Sequence, residues 1–477
     1  MLNSNIEHFI SPQFKLLSES QIKEIHLSTL EILRDTGVRF EDEKAVEILR
    51  KNGAWVKDNN LVRFPASMVE EAISSAPQRI VLCNSEGEGK LFLEDTKTFF
   101  GTGSDTLHYL DPYTENFEEW TTDKLCEYYR ICDALPNIDF LMSLGIPQDV
   151  PDDVSHYQWQ FAHMMQNSSK PCVVVCNDAE DIKSIIEMAS VVRDSREELR
   201  LRPNILLYSE PSSPLKQSST ALKKLMIVSK ENIPVVHSPA PMMGSTGPIH
   251  MAGELALCNA EILSGMVLHQ LINPGAPFVY GAGPHHFEMS SMEISYGSPE
   301  FQLTKTAVAE LGRNYGLPTW GYAGCSDAKT IDHQAVAETS ISVLMARLGG
   351  SNLVHDIGYI ESGKAASIEL VVLTDELIDM TENMMQGIEV TTETLMLSQI
   401  KDVGPGGHFL DKEETAEHFR DYWFPRLFDR KELHAWKEEG RKTVQDRIRN
   451  KLEDIKENYS PKELPEDKEK EIMNIIS

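Results

Sequence analysis

The sequence predicts a (β/α)₈ TIM barrel with an N-terminal αβ extension and a C-terminal helical extension. Eight short apolar runs alternate with amphipathic stretches, and eight strand–helix units are the number that closes such a barrel. Most of the runs are continuously apolar, which is typical of parallel strands buried on both faces. The runs are residues 98–103, 139–145, 172–176, 204–209, 234–239, 277–282, 318–323 and 352–358. We expect the N-terminal extension over residues 1–95, the barrel over 96–365 and the C-terminal extension over 366–477.

The N-terminal extension shows the signals of three helices and a hairpin. Ser20 is placed to cap a helix that Gly37 ends, and helices are also expected over 41–51 and 66–75. Between the last two helices, two β-prone stretches flank Asp58-Asn59-Asn60, a turn sequence.

The predicted barrel contains helical patterns after its runs and one insertion. The insertion, TLHYLDPYTENFEEWT, predicts a hairpin that turns at Asp111-Pro112. The charged residues 441–477 predict a solvated helix with a frayed tail. An open doubly wound sheet is the rival fold, but its GxGxxG fingerprint is absent from the first strand–helix turn. The helical patterns cover 121–135, 155–167, 216–230, 251–272, 299–315 and 332–348.

Composition narrows the class of protein. The 477 residues carry a net charge of −29, which argues against nucleic acid and anionic membranes as partners. The seven cysteines form no CxxC pair, so we expect buried, reduced thiols in a reducing compartment. Residues 1–20 lack the pattern of a signal peptide, and no apolar run reaches the roughly 18 residues of a membrane span. We therefore expect a cytoplasmic protein.

Candidate site residues lie where the predicted strands end, because TIM-barrel active sites occupy the C-terminal ends of the strands. The first and fourth strands end at Asp105 and Glu210. After the fifth strand, Gly244, Ser245 and Thr246 form a turn that opens a helix, a suitable place for an anion such as a substrate carboxylate. The alternative is an ordinary capped turn, with Glu254 a solvated acid in the first turn of that helix.

Aromatic residues also gather at these strand ends. Aromatic faces bind a quaternary ammonium group, which offers no hydrogen bond. Each ring taken alone is also compatible with ordinary core packing. The candidates for such a cage are Tyr280, Tyr322 and His285, with Tyr109 and Trp159 nearby.

Metal chemistry was weighed as a competitor. His237, Cys325 and His355 fall on three strand ends, but no close ligand pair supports a zinc site, so we expect no metal. His355 is better interpreted as a catalytic hydrogen-bonding residue that Asp356 orients. A structural histidine is the alternative.

Three long segments, residues 244–281, 315–338 and 349–378, resemble the trimethylamine methyltransferase superfamily, and the resemblance covers most of the chain. The archetype of that superfamily carries pyrrolysine in the loop that matches residues 323–327. This chain has Gly324-Cys325-Ser326 there, followed by Asp327. It is therefore similar to the non-pyrrolysine branch, whose members demethylate quaternary amines such as glycine betaine, proline betaine or carnitine.

The resemblance implies a function. A methyl group would pass from a quaternary amine to cob(I)alamin on a cognate corrinoid protein, with no cofactor held tightly by this chain. A separate corrinoid:tetrahydrofolate methyltransferase would then take the methyl group. The resemblance also implies that Cys325, Ser326 and Asp327 line the substrate site and that the chain forms a homo-oligomer. A non-catalytic quaternary-amine or corrinoid sensor on the same fold is the alternative.

Overall fold

The computed structural model describes residues 12–476, which form a mixed α/β fold. Residues 1–11 and 477 lie outside the described residues, so they leave untested part of the predicted N-terminal extension and of the segment considered for a signal peptide. The helices are α1 (Glu19–Glu31), α2 (Glu43–Lys51), α3 (Ala66–Ser75), α4 (Thr122–Ala134), α5 (His156–Asn167), α6 (Ala179–Val192), α7 (Arg196–Leu201), α8 (Ser219–Glu231), α9 (Met251–Ile272), α10 (Pro299–Asn314), α11 (His333–Gly349), α12 (Ile368–Met385), α13 (Leu397–Val403), α14 (Glu413–His418), α15 (Leu433–Glu438), α16 (Val444–Asn458) and α17 (Glu466–Ile476). The strands are β1 (Val38–Phe40), β2 (Trp55–Lys57), β3 (Leu61–Arg63), β4 (Ile80–Cys83), β5 (Gly89–Leu93), β6 (Phe99–Thr102), β7 (His108–Leu110), β8 (Phe117–Glu119), β9 (Cys172–Val174), β10 (Ile205–Ser209), β11 (Lys216–Gln217), β12 (Val235–His237), β13 (Phe278–Val279), β14 (His286–Glu288), β15 (Glu293–Ser295), β16 (Trp320–Tyr322), β17 (Leu353–Ile357), β18 (Tyr359–Ile360) and β19 (Ala365–Ser367).

The N-terminal elements follow the prediction with one correction. Ser18, and not Ser20, caps α1, because Ser18 and Gln21 form a reciprocal capping box. The chain leaves the helix through a π-helical turn and reaches Gly37 at φ +81°, so the predicted stop is confirmed. The predicted hairpin is β2–β3, and α3 has the predicted bounds.

The eight predicted runs are parallel neighbours in chain order. β9, β10, β12 and β13 form one parallel sheet, and β16, β17 and β6 form a second. The second run contributes isolated bridges rather than a strand, because Phe140 pairs with Gly101 and Leu141 pairs with Cys172. Tyr280, next to β13, pairs with Thr319, next to β16.

Strand alternation divides the buried side chains between two cores. One core packs between the parallel strands and the helices. The other, here called the inner core, holds the opposite faces of the same strands and the hairpin β4–β5, which the sequence analysis did not predict. The strand residues of the inner core are Phe140, Met142, Val173, Leu206, Val236, Val279, Trp320, Tyr322 and Leu353.

Helix α9 is the most deeply buried of the long helices. Among residues 12–476, it is the one helix whose length and composition would suffice to cross a membrane. However, 89% of its most apolar stretch is buried inside the protein, and a core helix has the same property. Its bounds are those predicted from the sequence.

The C-terminal region differs from the prediction in two ways. The charged end is not one solvated helix with a frayed tail, because α16 and α17 both pack on the body of the protein. Their buried residues, Ile448, Leu452 and Ile455 on α16 and Ile472 on α17, recur at helical spacing, so each helix is amphipathic. In addition, β18 and β19 extend the predicted insertion hairpin β7–β8 into a four-stranded sheet. The three-part division of the chain stays a prediction.

Candidate active site

The eighth parallel strand, β17, ends in a distorted backbone at His355 and Asp356. The register with β6 shifts between Val354 and Ile357, and Asp356 has φ +77°. A bulge re-aims the side chains of a strand, and a non-glycine residue at positive φ costs on the order of 1–3 kcal/mol. Such strain is typical of functional positions, where the rest of the fold compensates for it.

The polar atoms of these two side chains are unsatisfied. Asp356 is 1% exposed and His355 is 5% exposed. His355 Nδ1 lies 2.8 Å from Asp356 Oδ1, an ion-pair distance, but the two groups are not oriented for a hydrogen bond. Within residues 12–476, both imidazole nitrogens and both carboxylate oxygens lack a hydrogen-bond partner. Buried polar groups are nearly always paired, so this dyad has the character of a ligand contact.

Aromatic rings surround the dyad. The ring centroids of Trp320 and Tyr322 each lie 4.4 Å from that of His355, and Tyr208 lies 5.8 Å away. The negative charge of Asp356 contributes to raising the pKa of Tyr296 and of Tyr359, although burial is the larger cause. We call this set the aromatic cage; its rings are Tyr208, His285, Tyr296, Phe301, Trp320, Tyr322 and Tyr359.

Neighbouring groups hold the cage rings in place. Tyr322 Oη shares a hydrogen bond with Ser238 Oγ at 2.8 Å, and Tyr359 Oη accepts one from the Ser104 amide at 2.6 Å. His285 stacks on Phe301 with a centroid distance of 4.8 Å. Burial, reinforced by the charge of His355, lowers the pKa of His285 to about 4, so this imidazole is neutral at pH 7.

An acidic recess adjoins the cage. Tyr208 Oη donates to Glu210 Oε1 at 2.5 Å, and Ser143 Oγ donates to Asp105 Oδ1 at 2.8 Å. The Glu210 side chain is accessible to solvent, yet desolvation by the surrounding protein raises the pKa of its carboxyl. This combination is typical of a group inside a concave site. Asp105 is partly exposed and its pKa is likewise raised by burial.

The loop after the seventh strand is tied firmly into the structure. Ser326 Oγ donates to Glu338 Oε2 at 2.6 Å, so its hydroxyl is already used. Asp327 accepts from the amides of Tyr296 and Gly297 and from Ser295 and Ser362, which fastens the hairpin β14–β15 to the loop. Cys325 is fully buried in the inner core, and burial raises the pKa of its thiol well above the usual range. In this loop, Cys325 alone belongs to the same core as the cage rings.

The chain as a whole was compared with known proteins. The model of the family described as "Trimethylamine methyltransferase (MTTB)" matches residues 3–477. The chain belongs to this family. The family is one of methyltransferases, so the site just described is the candidate site of a methyltransferase.

Individual relatives in this family are about equally distant from the chain. The trimethylamine methyltransferase MttB of Desulfitobacterium hafniense strain DCB-2 is 32% identical over 94% of this chain and 90% of its own length. The glycine betaine methyltransferase of D. hafniense strain Y51 is 31% identical over 95% and 94%. Among solved structures, the Methanosarcina barkeri monomethylamine methyltransferase (MtmB) gives a TM-score of 0.48 at 11% identity, over 93% of this chain and 89% of that chain.

The turn predicted to bind an anion is wrong in its physical basis. The amides of Ser245 and Gly247 both donate to Met242 O, and the Gly244 amide donates to Gly247 O. Thr246 Oγ1 accepts from the Met242 amide at 2.9 Å. The amides on which the prediction relied are therefore used inside the turn, as the alternative of an ordinary capped turn expects.

Glu254 is not the solvated acid that the alternative expected. Its carboxyl is fully buried behind the turn, where a Cβ on Gly247 would lie 1.9 Å from Glu254 Oε2. Burial, reinforced by the charge of Glu261, raises the pKa of Glu254 to about 8. The group is therefore mostly neutral at pH 7 and adds little negative charge there.

Three aromatic candidates lie outside the cage. Tyr280 follows Val279 of the inner core, so strand alternation turns it outward, where its Oη donates to Asn259 of α9 at 2.8 Å. Tyr109 donates to Glu118 and packs on Trp120, and Trp159 Nε1 donates to Thr122. The prediction that these rings bind substrate is therefore wrong: they pack against helices and the β7–β8 hairpin.

The three residues weighed as zinc ligands do not share one face. His237 is hydrogen-bonded with Gln217 at 2.8 Å and packs against Gly265 of α9, whereas the next residue, Ser238, reaches Tyr322 in the cage. His355 is on the cage side. Alternation along β12 thus points His237 away from His355.

Sequence reasoning missed five members of the site. Asp105 and Glu210 stand at predicted strand ends, so position was a usable signal for them. Tyr208 lies within β10 and was hidden in an apolar run. Tyr296 and Phe301 come from the segment between β15 and α10, and no local pattern brings that segment over the strand ends.

Proposed function

We propose that this chain transfers a methyl group from a quaternary amine to the corrinoid of a cognate partner protein. The observation that carries the proposal is the buried carboxylate of Asp356, which accepts no hydrogen bond from residues 12–476 and lies among aromatic rings. A quaternary ammonium group has no hydrogen to donate, so it suits a carboxylate that is held without donors.

Recognition of the cation combines charge and ring faces. Aromatic faces attract a desolvated cation with roughly 2 kcal/mol at favourable positions. Asp356 supplies the opposite charge in a site from which bulk water is largely excluded. His355, whose nitrogens are also without partners, forms one wall between Trp320 and Tyr322.

The chemistry asks little proton transfer of the protein. When the C–N bond breaks, its electron pair stays on nitrogen, and the amine leaves as a neutral tertiary amine without an acid. The corrinoid of the partner supplies the reduced cobalt nucleophile that accepts the methyl group. This chain's residues hold the ammonium in line and desolvate it. The neutral His285 and the protonated Cys325 thiol agree with this division of roles.

The site suits a partner-borne cofactor. The cage adjoins the recess of Glu210 and Asp105, whose side chains are accessible or partly accessible, so a group presented by another protein has a path to the cage. We propose no residue of this chain as a cobalt ligand. We also propose that a corrinoid:tetrahydrofolate methyltransferase takes the methyl group afterwards, and that the chain works in the cytoplasm as a homo-oligomer.

We further infer that the eight parallel runs close into a TIM barrel. The support is the succession of parallel pairs and bridges in chain order, together with the pairing of β17, the last strand, with β6, the first. The hairpin β4–β5 would then fill one end of the inner core, and the aromatic cage would stand at the C-terminal ends of the strands, where barrel enzymes place their sites.

The experiment is a methyl-transfer assay with the cognate corrinoid protein. The protein is mixed with reduced corrinoid protein and a panel of tetramethylammonium, choline, glycine betaine, proline betaine, carnitine and trimethylamine, and the cob(I)alamin spectrum is followed. Loss of the cob(I)alamin signal with at least one quaternary amine, and none with trimethylamine, is expected. Tight binding without any transfer would instead indicate a sensor, and transfer from trimethylamine alone would contradict the quaternary substrate.

A further inference from the structure

We propose that the quaternary amine of this site carries a hydrogen-bond donor on its fourth substituent and no carboxylate, as choline does. The inference rests on the proposed quaternary-amine function and concerns the arm of the substrate, not its trimethylammonium end. It follows from which charged groups line the recess beside the cage.

Carboxyl groups dominate this region. Asp356 lies in the cage, and Glu210 and Asp105 lie in the adjoining recess. Tyr359 connects them: its Oη is hydrogen-bonded to the backbone of Ser104, next to Asp105, and the charges of both Asp356 and Asp105 act on its phenol. The charge of His355 in turn acts on Glu210. An arm that leaves the cage toward the recess therefore passes between carboxyl oxygens.

The nearby cations are already used on the backbone. Lys224 is buried and its Nζ donates to Cys176 O at 2.6 Å. Lys305 is buried as well and donates to Tyr322 O at 2.6 Å. His156 acts on Asp105 from α5. These groups soften the negative potential without presenting a free cation to a ligand.

A substrate carboxylate would therefore find a poor partner. The remaining donor is His355, whose Nδ1 is 2.8 Å from Asp356 Oδ1, so a carboxylate bound there would lie close to a like charge. The turn at residues 244–247 offers no alternative, because its amides of Gly244, Ser245 and Gly247 are used internally. The charge pattern disfavours betaines.

A hydroxyl on the arm would be satisfied instead. Glu210 accepts from Tyr208 on Oε1, and Asp105 accepts from Ser143 on Oδ1. A carboxylate has about four acceptor positions, so each of these groups can take a further O–H donor. Hydrogen bonds to charged acceptors are among the stronger ones, so they select for an arm that donates.

Isothermal titration calorimetry on the full chain tests this inference without the corrinoid partner. The ligands are tetramethylammonium, choline and glycine betaine. We expect choline to bind about tenfold more tightly than tetramethylammonium, through the added hydrogen bond. We expect glycine betaine to bind at least about tenfold more weakly than choline, because of repulsion. Glycine betaine binding as tightly as choline would overturn the inference.

Variants of the recess separate its charge from general effects. Glu210→Gln should narrow the choline-to-betaine ratio several-fold, whereas Glu197→Gln, an exposed acid on α7, should leave the ratio unchanged. Asp105→Asn serves as a second variant, and an unchanged ratio in both recess variants would also overturn the inference.

The methyl-transfer assay separates this inference from the proposed function. If betaine binds best and donates its methyl group, only the inference on the arm fails. If none of the ligands binds and none donates a methyl group, the proposed function fails as well.

Discussion

Two buried carboxyl groups, Asp356 and Glu254, accept no hydrogen bond from residues 12–476, yet their surroundings differ. Glu254 sits behind a turn whose amides are already paired, near Glu261 and without aromatic rings among its recorded contacts, and its pKa is raised to about 8. Asp356 is held at φ +77° beside His355, and its charge acts on the phenols of the cage. A lack of hydrogen bonds alone therefore does not mark a ligand site. The neighbours decide whether a carboxyl is stored as a neutral acid or kept for a cation.

Asp356→Asn is expected to have the largest effect on binding. The substitution keeps the shape and removes the charge, so tetramethylammonium should bind roughly 100-fold more weakly, the order of loss for a desolvated charge pair. The free energy of unfolding of the free protein should stay the same or rise, because an unpaired buried charge is costly. Calorimetry and denaturant unfolding measure the two quantities. Unchanged binding with lower stability would mean that Asp356 is structural.

Glu254 is expected to make the stability depend on pH. Its folded pKa of about 8 lies above the ordinary value of 4.5, so the folded state holds a proton that the unfolded state loses in this range. Stability should therefore be fully present below about pH 4.5 and fall by roughly 1.4 kcal/mol per pH unit as the pH rises toward 8. Urea unfolding at pH 5.5 and 7.5 measures the slope.

Glu254→Gln is the matched control for that slope. The variant should keep only the smaller dependence that comes from Glu261, whose pKa burial raises to about 7. An equal slope in the variant would show that Glu254 is ionised in the folded protein, and the contrast with Asp356 would be lost.

Tyr322→Leu sharpens the role of the rings. If the ring faces a desolvated cation, tetramethylammonium affinity should fall by roughly 1–2 kcal/mol. Tyr322→Phe keeps the ring but loses the bond to Ser238, so it should bind nearly as tightly as the wild type. Equal losses in both variants would assign the effect to the hydroxyl instead.

Ser245→Ala is expected to have the smallest effect. The Ser245 amide is bonded within the turn and does not depend on the side chain, so affinity for any amine of the panel should change by less than about 0.5 kcal/mol. A tenfold loss of affinity for glycine betaine alone would restore the turn as a carboxylate site.

The sequence predicted elements well where periodicity is local. The run and helix pattern anticipated β9 to β17 and α4 to α11 within a few residues, because a buried parallel strand and an amphipathic helix each leave a local signature. The hairpins β4–β5 and β14–β15 were missed. The C-terminal helices were taken for solvated segments because their charged residues outnumber the few that pack.

The site was harder to predict than the fold. His355, Asp356, Tyr322 and His285 were chosen correctly as neighbours, since all follow or end predicted strands. Tyr280 failed by one step of strand alternation, which no pattern fixed in advance. The bulge that turns Asp356 inward, and the segment that brings Tyr296 over the strand ends, depend on tertiary packing and leave no local sign.

The central claim is that this site binds positive charge, with Asp356 as its partner. The most direct measurement compares the dissociation constants of choline and 3,3-dimethyl-1-butanol, which has the same shape and hydroxyl but no charge. The account predicts that choline binds at least about 100-fold more tightly, and that Asp356→Asn removes most of this difference. Equal affinity of the two ligands in the wild-type protein would contradict it, since the cage would then be an apolar pocket and nothing more.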